Sequence, residues 1–326
     1  MDSLLDVSDL QVRFRSDFGD RIVTDHISFH VAPGEILGIA GESGSGKSVT
    51  SLSVMGLLPK NGSVISGKAM FDGKDLFAMS DKELDQIRGK DICMIYQDAL
   101  ASLDPVFTIG SQMSEAIRHH VEPDKKKAKQ IALEWLDKVG IPDPADAYRS
   151  YPYEFSGGMR QRVMIAMGLS CHPRLLIADE PTTALDVTIQ AQIMKIIRDL
   201  RSKLGMSVIL ISHDLGLIAQ NADRVMVMYA GQFVEIADVR ELYHHPQHPY
   251  TRALLASVPD IHDQQDRQLY SIPGSVPQDY TSMTGCRFAS RCAFATEACK
   301  AKQSLFEKTP GHWAACIRSQ RGELDE

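Results

Sequence analysis

Eight residues constrain this chain more than any others: Gly41-Glu42-Ser43-Gly44-Ser45-Gly46-Lys47-Ser48 fits the pattern G-x-x-x-x-G-K-[ST] without a mismatch. The pattern has meaning only between a strand and a helix, and both are present. GEILGIAG (34–41) reads as a buried strand, and SVTSLSVMGLL after the motif reads as a helix. Gly41, Gly44 and Gly46 let the backbone curl so that successive N–H groups converge on an anion, and the helix N-terminus adds its positive end. Lys47 then reaches the β- and γ-phosphates of a nucleotide, and the Ser48 hydroxyl is placed to ligate Mg2+.

Further apolar runs read as strands: ICMIYQ (92–97), LLIADE (175–180), SVILIS (207–212) and RVMVMY (224–229). None alternates, as expected for a parallel sheet covered on both faces. Between them lie helical stretches over 125–139 and 188–204, ended by Gly140 and Gly205. The order strand, loop, helix, strand predicts an α/β fold, with a small antiparallel sheet over 17–36 and a mostly helical insert over about 98–160. Beyond Tyr243 the chain is dense in Pro and polar residues, so the expected boundary lies near residue 245, with an extension over 246–326 of little regular structure.

The strand LLIADE delivers Asp179 and Glu180 to its C-terminal end, where ligands bind in open α/β sheets. Asp179 there can hold Mg2+ through water, and Glu180 can polarise a water in line with the γ-phosphate. Ser156, in the segment Phe155 to Arg162, lies 23 residues before Asp179. It suits a helix cap, and Gly157 and Gly158 allow close approach of an anion to the helix end.

Together these residues resemble the ATP-binding-cassette (ABC) ATPases, over roughly residues 4–250. The resemblance implies a P-loop fold in which ATP and Mg2+ are held by Gly41, Ser43, Gly44, Ser45, Gly46, Lys47, Ser48 and Val49. It implies that Ser156, Gly157 and Gly158 are the signature contacting the γ-phosphate of ATP bound to the opposite subunit. Phe155 and Met159 depart mildly, standing where the family usually has Leu and Gln. Gln97 is similar to the Q-loop glutamine at Mg2+ or the attacking water, Ala184-Leu185-Asp186 to the D-loop at the dimer interface, and His213 to the switch histidine. Phe14, 33 residues before Lys47, is the expected adenine-stacking aromatic. QDALASLDP (97–105), with departures at Ala99 and Asp104, and HPYTRALLASVP (248–259) are similar to the dipeptide/oligopeptide/nickel import ATPases, nearest the dipeptide type. Such a subunit implies two transmembrane permease subunits, a second homologous ATPase, an extracytoplasmic binding protein, and a peripheral position on the cytoplasmic face of the bacterial inner membrane. Short peptides are the expected cargo, with nickel chelates or glutathione as the alternative and a soluble non-transport ABC ATPase as a remote one.

Net charge is −7, which argues against a nucleic-acid partner, and no apolar run is long enough for a transmembrane helix. The acidic N-terminus carries no secretory signal, so a cytosolic location is expected. Cys93 and Cys171 stand in apolar stretches as buried small residues. Cys286, Cys292, Cys299 and Cys316 fall in the extension, where a metal tie would supply stabilisation that apolar content does not. Their spacing leaves tetrahedral Zn2+ and a [4Fe–4S] cluster open, with free thiols as the plain alternative. The family resemblance favours [4Fe–4S]. His244, His245 and His248 read as structural.

Overall fold

The structure, a computed structural model, describes residues 3–17, 19–97, 102–183, 185–258, 271–277 and 279–324. Ala99, Ala184 and the whole polar stretch over 259–270 therefore lie outside the described residues. In chain order the strands are β1 (Leu5–Ser16), β2 (Gly19–Val31), β3 (Ile36–Ala40), β4 (Gly62–Phe71), β5 (Lys74–Asp75), β6 (Ile92–Ile95), β7 (Leu175–Asp179), β8 (Ser207–Ser212), β9 (Arg224–Tyr229), β10 (Gln232–Asp238), β11 (Phe306–Thr309) and β12 (His312–Ala314). The main helices are α1 (Lys47–Val54), α2 (Ile109–His120), α3 (Lys125–Lys138), α4 (Gly157–Leu169), α5 (Val187–Leu204), α6 (Leu215–Asn221), α7 (Val239–His244) and α8 (Pro249–Ala256).

Two compact units divide the chain: residues 1–78 with 210–326, and residues 79–209, so β8 straddles the division. In the first unit β2-β1-β4-β5 form an antiparallel sheet. β1 alternates inward Leu5, Val7, Leu10 and Val12 with outward polar residues, the period of a half-buried strand. Strand β3 pairs parallel with β9, and β9 antiparallel with β10. Every residue of β3 is buried, which explains its unbroken apolar run.

In the second unit β6 pairs parallel with β7, α2 and α3 fall in the stretch expected to be a helical insert, and α4 begins at its end. Asp124 caps α3 by accepting from the Lys126 and Lys127 amides at 3.0 and 2.9 Å. Gly140 and Gly205 end α3 and α5 with positive φ of 72° and 65°, as their positions require. Trp135 and Leu136 of α3 are buried with Val163, Ile165 and Leu169 of α4. Cys93 and Cys171 are buried here too, and burial pushes the Cys93 thiol up to about 12.

The extension does not form a unit of its own by compactness; it joins the unit that carries the phosphate loop. It also holds more regular structure than its composition predicts. Strand β12 pairs antiparallel with β10 and with β11, extending the sheet that contains β9 and β3. The tie is polar: Glu235 of β10, wholly buried, meets the buried His312 Nε2 at 2.7 Å. The same carboxylate accepts from the Gln247 and His248 amides at 2.7 and 2.8 Å. Removing one partner of such a group leaves the others buried and unsatisfied. Glu235→Ala is expected to destabilise this unit by about 3–5 kcal/mol in urea unfolding of the whole chain, and an unchanged midpoint would contradict the tie.

Candidate functional site

The phosphate loop is built by close packing on neighbouring strands of its own unit. Gly41 has φ 152°, and a Cβ on it would stand 2.2 Å from the Met228 carbonyl oxygen at the end of β9. Only glycine lets the loop pass there. The Gly231 amide donates to the Ser45 carbonyl at 2.8 Å, tying the loop to the β9–β10 turn. The Lys47 side chain, 5% exposed, donates to the Gly41 and Glu42 carbonyls at 2.7 and 3.0 Å, which curls the loop around its ammonium. The Ser45 hydroxyl is buried with no hydrogen-bond partner among the described residues, the condition expected of a cradle built for an anion. Ser48 and Val49 open α1 half-buried, and the Ser48 hydroxyl is a hard oxygen donor of the kind Mg2+ takes.

The second unit assembles the carboxylates. Strand β7 is wholly buried and delivers Asp179, 6% exposed, at its end. Glu180 follows with a φ of 47°, a left-handed backbone costly for a non-glycine residue and typical of functional sites. Its carboxylate is oriented twice: Gln97 Nε2 donates to Oε2 at 3.0 Å and Thr183 Oγ1 at 2.9 Å. Gln97 and Glu180, read separately from sequence, are thus brought together. Thr183 is absent from the sequence reading; its place three residues after the acid is the one signal that could have found it.

Ser156 caps α4, its Oγ accepting from the Met159 amide at 3.3 Å. Gly158 faces α5 so closely that a Cβ would lie 2.9 Å from Ile189 Cγ2. Asp186 caps α5 by accepting from the Ile189 amide at 2.9 Å. Ser156, Gly157, Gly158, Leu185 and Asp186 together line an open cavity of about 510 Å3, so the signature and D-loop positions share one surface. His213 follows β8 as an exposed residue of the first unit. Phe14 sits in β1 opposite Arg21 and Gly62, its ring tip against Gly62, and it does not line the cavity beside Ser43 and Gly44.

The four extension cysteines lie in one electrostatic neighbourhood. Burial pushes the Cys286 thiol up to about 11, and the proximity of Cys299, Cys316 and Cys292 adds to the rise. The Cys286 amide donates to the Cys299 carbonyl at 2.8 Å, drawing two of them together. Among the described residues, however, no group of three or more His, Cys, Asp and Glu side chains is arranged as a metal site. His248 proves structural, its Nδ1 capping α8 by accepting from the Tyr250 amide at 3.1 Å, with burial holding it down to about 4.

Nothing in the sequence paired the phosphate loop with the extension. Arg291 forks onto Glu42 at 2.7 and 2.9 Å, and the Tyr250 hydroxyl accepts from the Glu42 amide at 2.9 Å. The loop's shape therefore depends on this packing. Gly41→Ala is expected to lower Mg-ATP affinity at least tenfold in calorimetric titration while leaving the folded circular dichroism unchanged; full affinity would contradict the packing at Met228.

Residues 24–183 match the family model described as ABC transporter, and residues 234–299 match that of the oligopeptide/dipeptide transporter C-terminal region. The chain is 50% identical over 323 residues to the probable peptide ABC transporter ATP-binding protein y4tR of Sinorhizobium fredii, covering 98% of this chain and 96% of that one. It is 48% identical to the dipeptide transport ATP-binding protein DppD of Escherichia coli, covering 92% of each. Among solved structures, the dimeric post-hydrolysis ATP-binding cassette MJ0796 with ADP and Pi matches with a TM-score of 0.66 at 23% identity, over 72% of this chain and 99% of that one. Motif geometry, both family matches and these relatives agree: the chain belongs to the ABC transporter ATP-binding proteins, in the group that carries the oligopeptide/dipeptide transporter C-terminal region.

Proposed function

We propose that this chain binds and hydrolyses ATP to energise a membrane importer of di- and oligopeptides. The observation that carries the hydrolytic part is Glu180, held in a strained backbone and oriented by Gln97 and Thr183. Glu180 takes a proton from water as the water attacks the γ-phosphorus; the bond to the β,γ-bridging oxygen breaks, and ADP and phosphate result. Lys47 and the loop amides stabilise the charge that develops. Mg2+ is assigned by motif to Ser48, Asp179 and Gln97, whose oxygens suit a hard cation. His213 is assigned to the γ-phosphate on the same basis.

Ser156, Gly157, Gly158 and Asp186 are proposed to act on ATP held by a second, homologous ATPase. ATP then joins two chains, and its hydrolysis releases them, a two-state element biased by the γ-phosphate. Among the described residues no helix is long and apolar enough to cross a membrane, so spanning falls to two permease subunits, with the cargo captured by an extracytoplasmic binding protein. The peptide cargo rests on the printed names of the relatives. Glu180→Gln is expected to retain Mg-ATP binding and lose turnover by about 10²–10⁴ in the assembled importer. Retained turnover would remove Glu180 from the role of base.

We also propose a [4Fe–4S] cluster on Cys286, Cys292, Cys299 and Cys316, two of them buried and two half-buried, supported by their thiolate donor chemistry and by the Cys286 amide bond to the Cys299 carbonyl. When bound, the cluster supplies a covalent tie for a segment with little apolar core, at the cost of displacing the thiol protons. Purified under exclusion of air, the chain is expected to be brown and to hold four irons and four sulfides. Cys299→Ser should lose both colour and iron. A colourless chain with one zinc would assign the site to Zn2+ instead.

A further inference from the structure

A cavity of about 390 Å3 opens on the outer face of the phosphate loop, within the size range of roughly 300–1,000 Å3 usual for small-molecule pockets. Its floor is Ser43 and Gly44, both exposed. One wall is residues 21–23 of β2, including Ile22 and Val23; the facing wall is residues 275–277 and Tyr280 of the extension. Arg21 and Ser275 add polar groups to walls otherwise made by apolar side chains and the Tyr280 ring, and the floor is the phosphate loop itself. That combination suits a flat heteroaromatic base whose phosphates run toward Lys47.

The extension wall is held rigidly to the rest of the unit. The Tyr280 hydroxyl donates to the Val23 carbonyl at 2.6 Å, and the Thr281 hydroxyl accepts from the Ile22 amide at 3.4 Å. Gly231, with φ 80°, gives room for the Tyr280 ring, since a Cβ there would stand 2.8 Å from it. Arg291 sets the spacing between floor and wall. Its guanidinium, on a side chain 5% exposed, forks onto Glu42, the residue before Ser43. The same side chain donates through Nε to the Pro273 carbonyl at 2.7 Å and through Nη2 to the Gly274 carbonyl at 3.4 Å, just before Ser275. One planar cation thus joins the start of the floor to the start of the wall, a geometry lysine cannot reproduce.

We infer that the C-terminal extension completes the nucleotide site of its own chain, with Val276 and Tyr280 walling a pocket for the nucleoside and Arg291 as the positioning residue. The inference rests on reading Gly41–Ser48 as the phosphate loop. It separates that reading from a new one: base and ribose are recognised partly by the extension, and phosphates by the loop.

The test compares Mg-ATP with Mg-tripolyphosphate, which has the phosphates and no nucleoside, by calorimetric titration of the full-length chain. The parent is expected to bind both, ATP more tightly. Val276→Trp fills the pocket and is expected to weaken ATP at least tenfold while tripolyphosphate stays within twofold. Arg291→Ala is expected to narrow the preference for ATP over tripolyphosphate, and Arg291→Lys to leave it narrowed, a ratio that a merely stabilising role would not move. Unchanged ATP affinity in Val276→Trp, or equal weakening of both ligands, would overturn the inference. A parent that binds neither ligand would overturn the phosphate-loop reading and this one with it. Photolabelling the parent with 8-azido-ATP gives a check free of any substitution: label is expected on the tryptic peptide carrying Val276 and Tyr280, and label confined to other peptides would count against the pocket.

Discussion

The close approach of Gly41 to the Met228 carbonyl is the constraint on which the nucleotide site depends. A backbone that passes this near to β9 can turn only as a glycine, and the Lys47 ammonium then donates to the Gly41 and Glu42 carbonyls of the turned loop. The rest of the first unit is arranged to keep it there. The β9–β10 turn holds Ser45, Tyr250 holds the Glu42 amide, and Arg291 holds the Glu42 carboxylate. Tyr229, Tyr250 and Phe288 form an aromatic cluster beneath, with ring centroids 4.6 to 5.3 Å apart, each pair contributing about 0.5–1.5 kcal/mol beyond its buried area. The loop is local in sequence, but its rigidity is tertiary.

That distinction explains what could be read in advance. The strand before the loop, the buried strand delivering Asp179 and Glu180, the cap at Ser156 and the glycine ends of two helices are local patterns, each with a period or a punctuating residue. The hairpin of β11 and β12 has neither. Its strands are four and three residues long, and they are stabilised by pairing with β10 and by the Glu235–His312 contact 77 positions apart. An extension poor in apolar residues therefore reads as irregular, although it adds strands to a sheet. Arg291 gave no signal at all, since its partner Glu42 lies 249 residues away and an arginine between cysteines looks like any surface cation. Phe14, expected from its position before the loop to stack on adenine, sits with its ring tip on Gly62 and is not among the residues lining the cavity at Ser43 and Gly44.

The chemistry is divided between two units. Phosphate loop, His213 and extension belong to one; Glu180, Gln97 and the Ser156 turn belong to the other. In the second unit Glu180 keeps its left-handed backbone, and Gln97 and Thr183 orient its carboxylate. A carboxylate pre-oriented by Gln97 and Thr183 requires little reorganisation when water and phosphate arrive.

The central claim is that one triphosphate touches the Gly41–Ser48 loop of one chain and the Ser156 turn of another. Trapping the assembled importer with Mg-ADP and orthovanadate, then irradiating it, cleaves the backbone wherever vanadate occupies the γ-phosphate position. The account predicts scission of this chain at both the phosphate loop and the Ser156 turn. Scission at the loop with the Ser156 turn intact would contradict it.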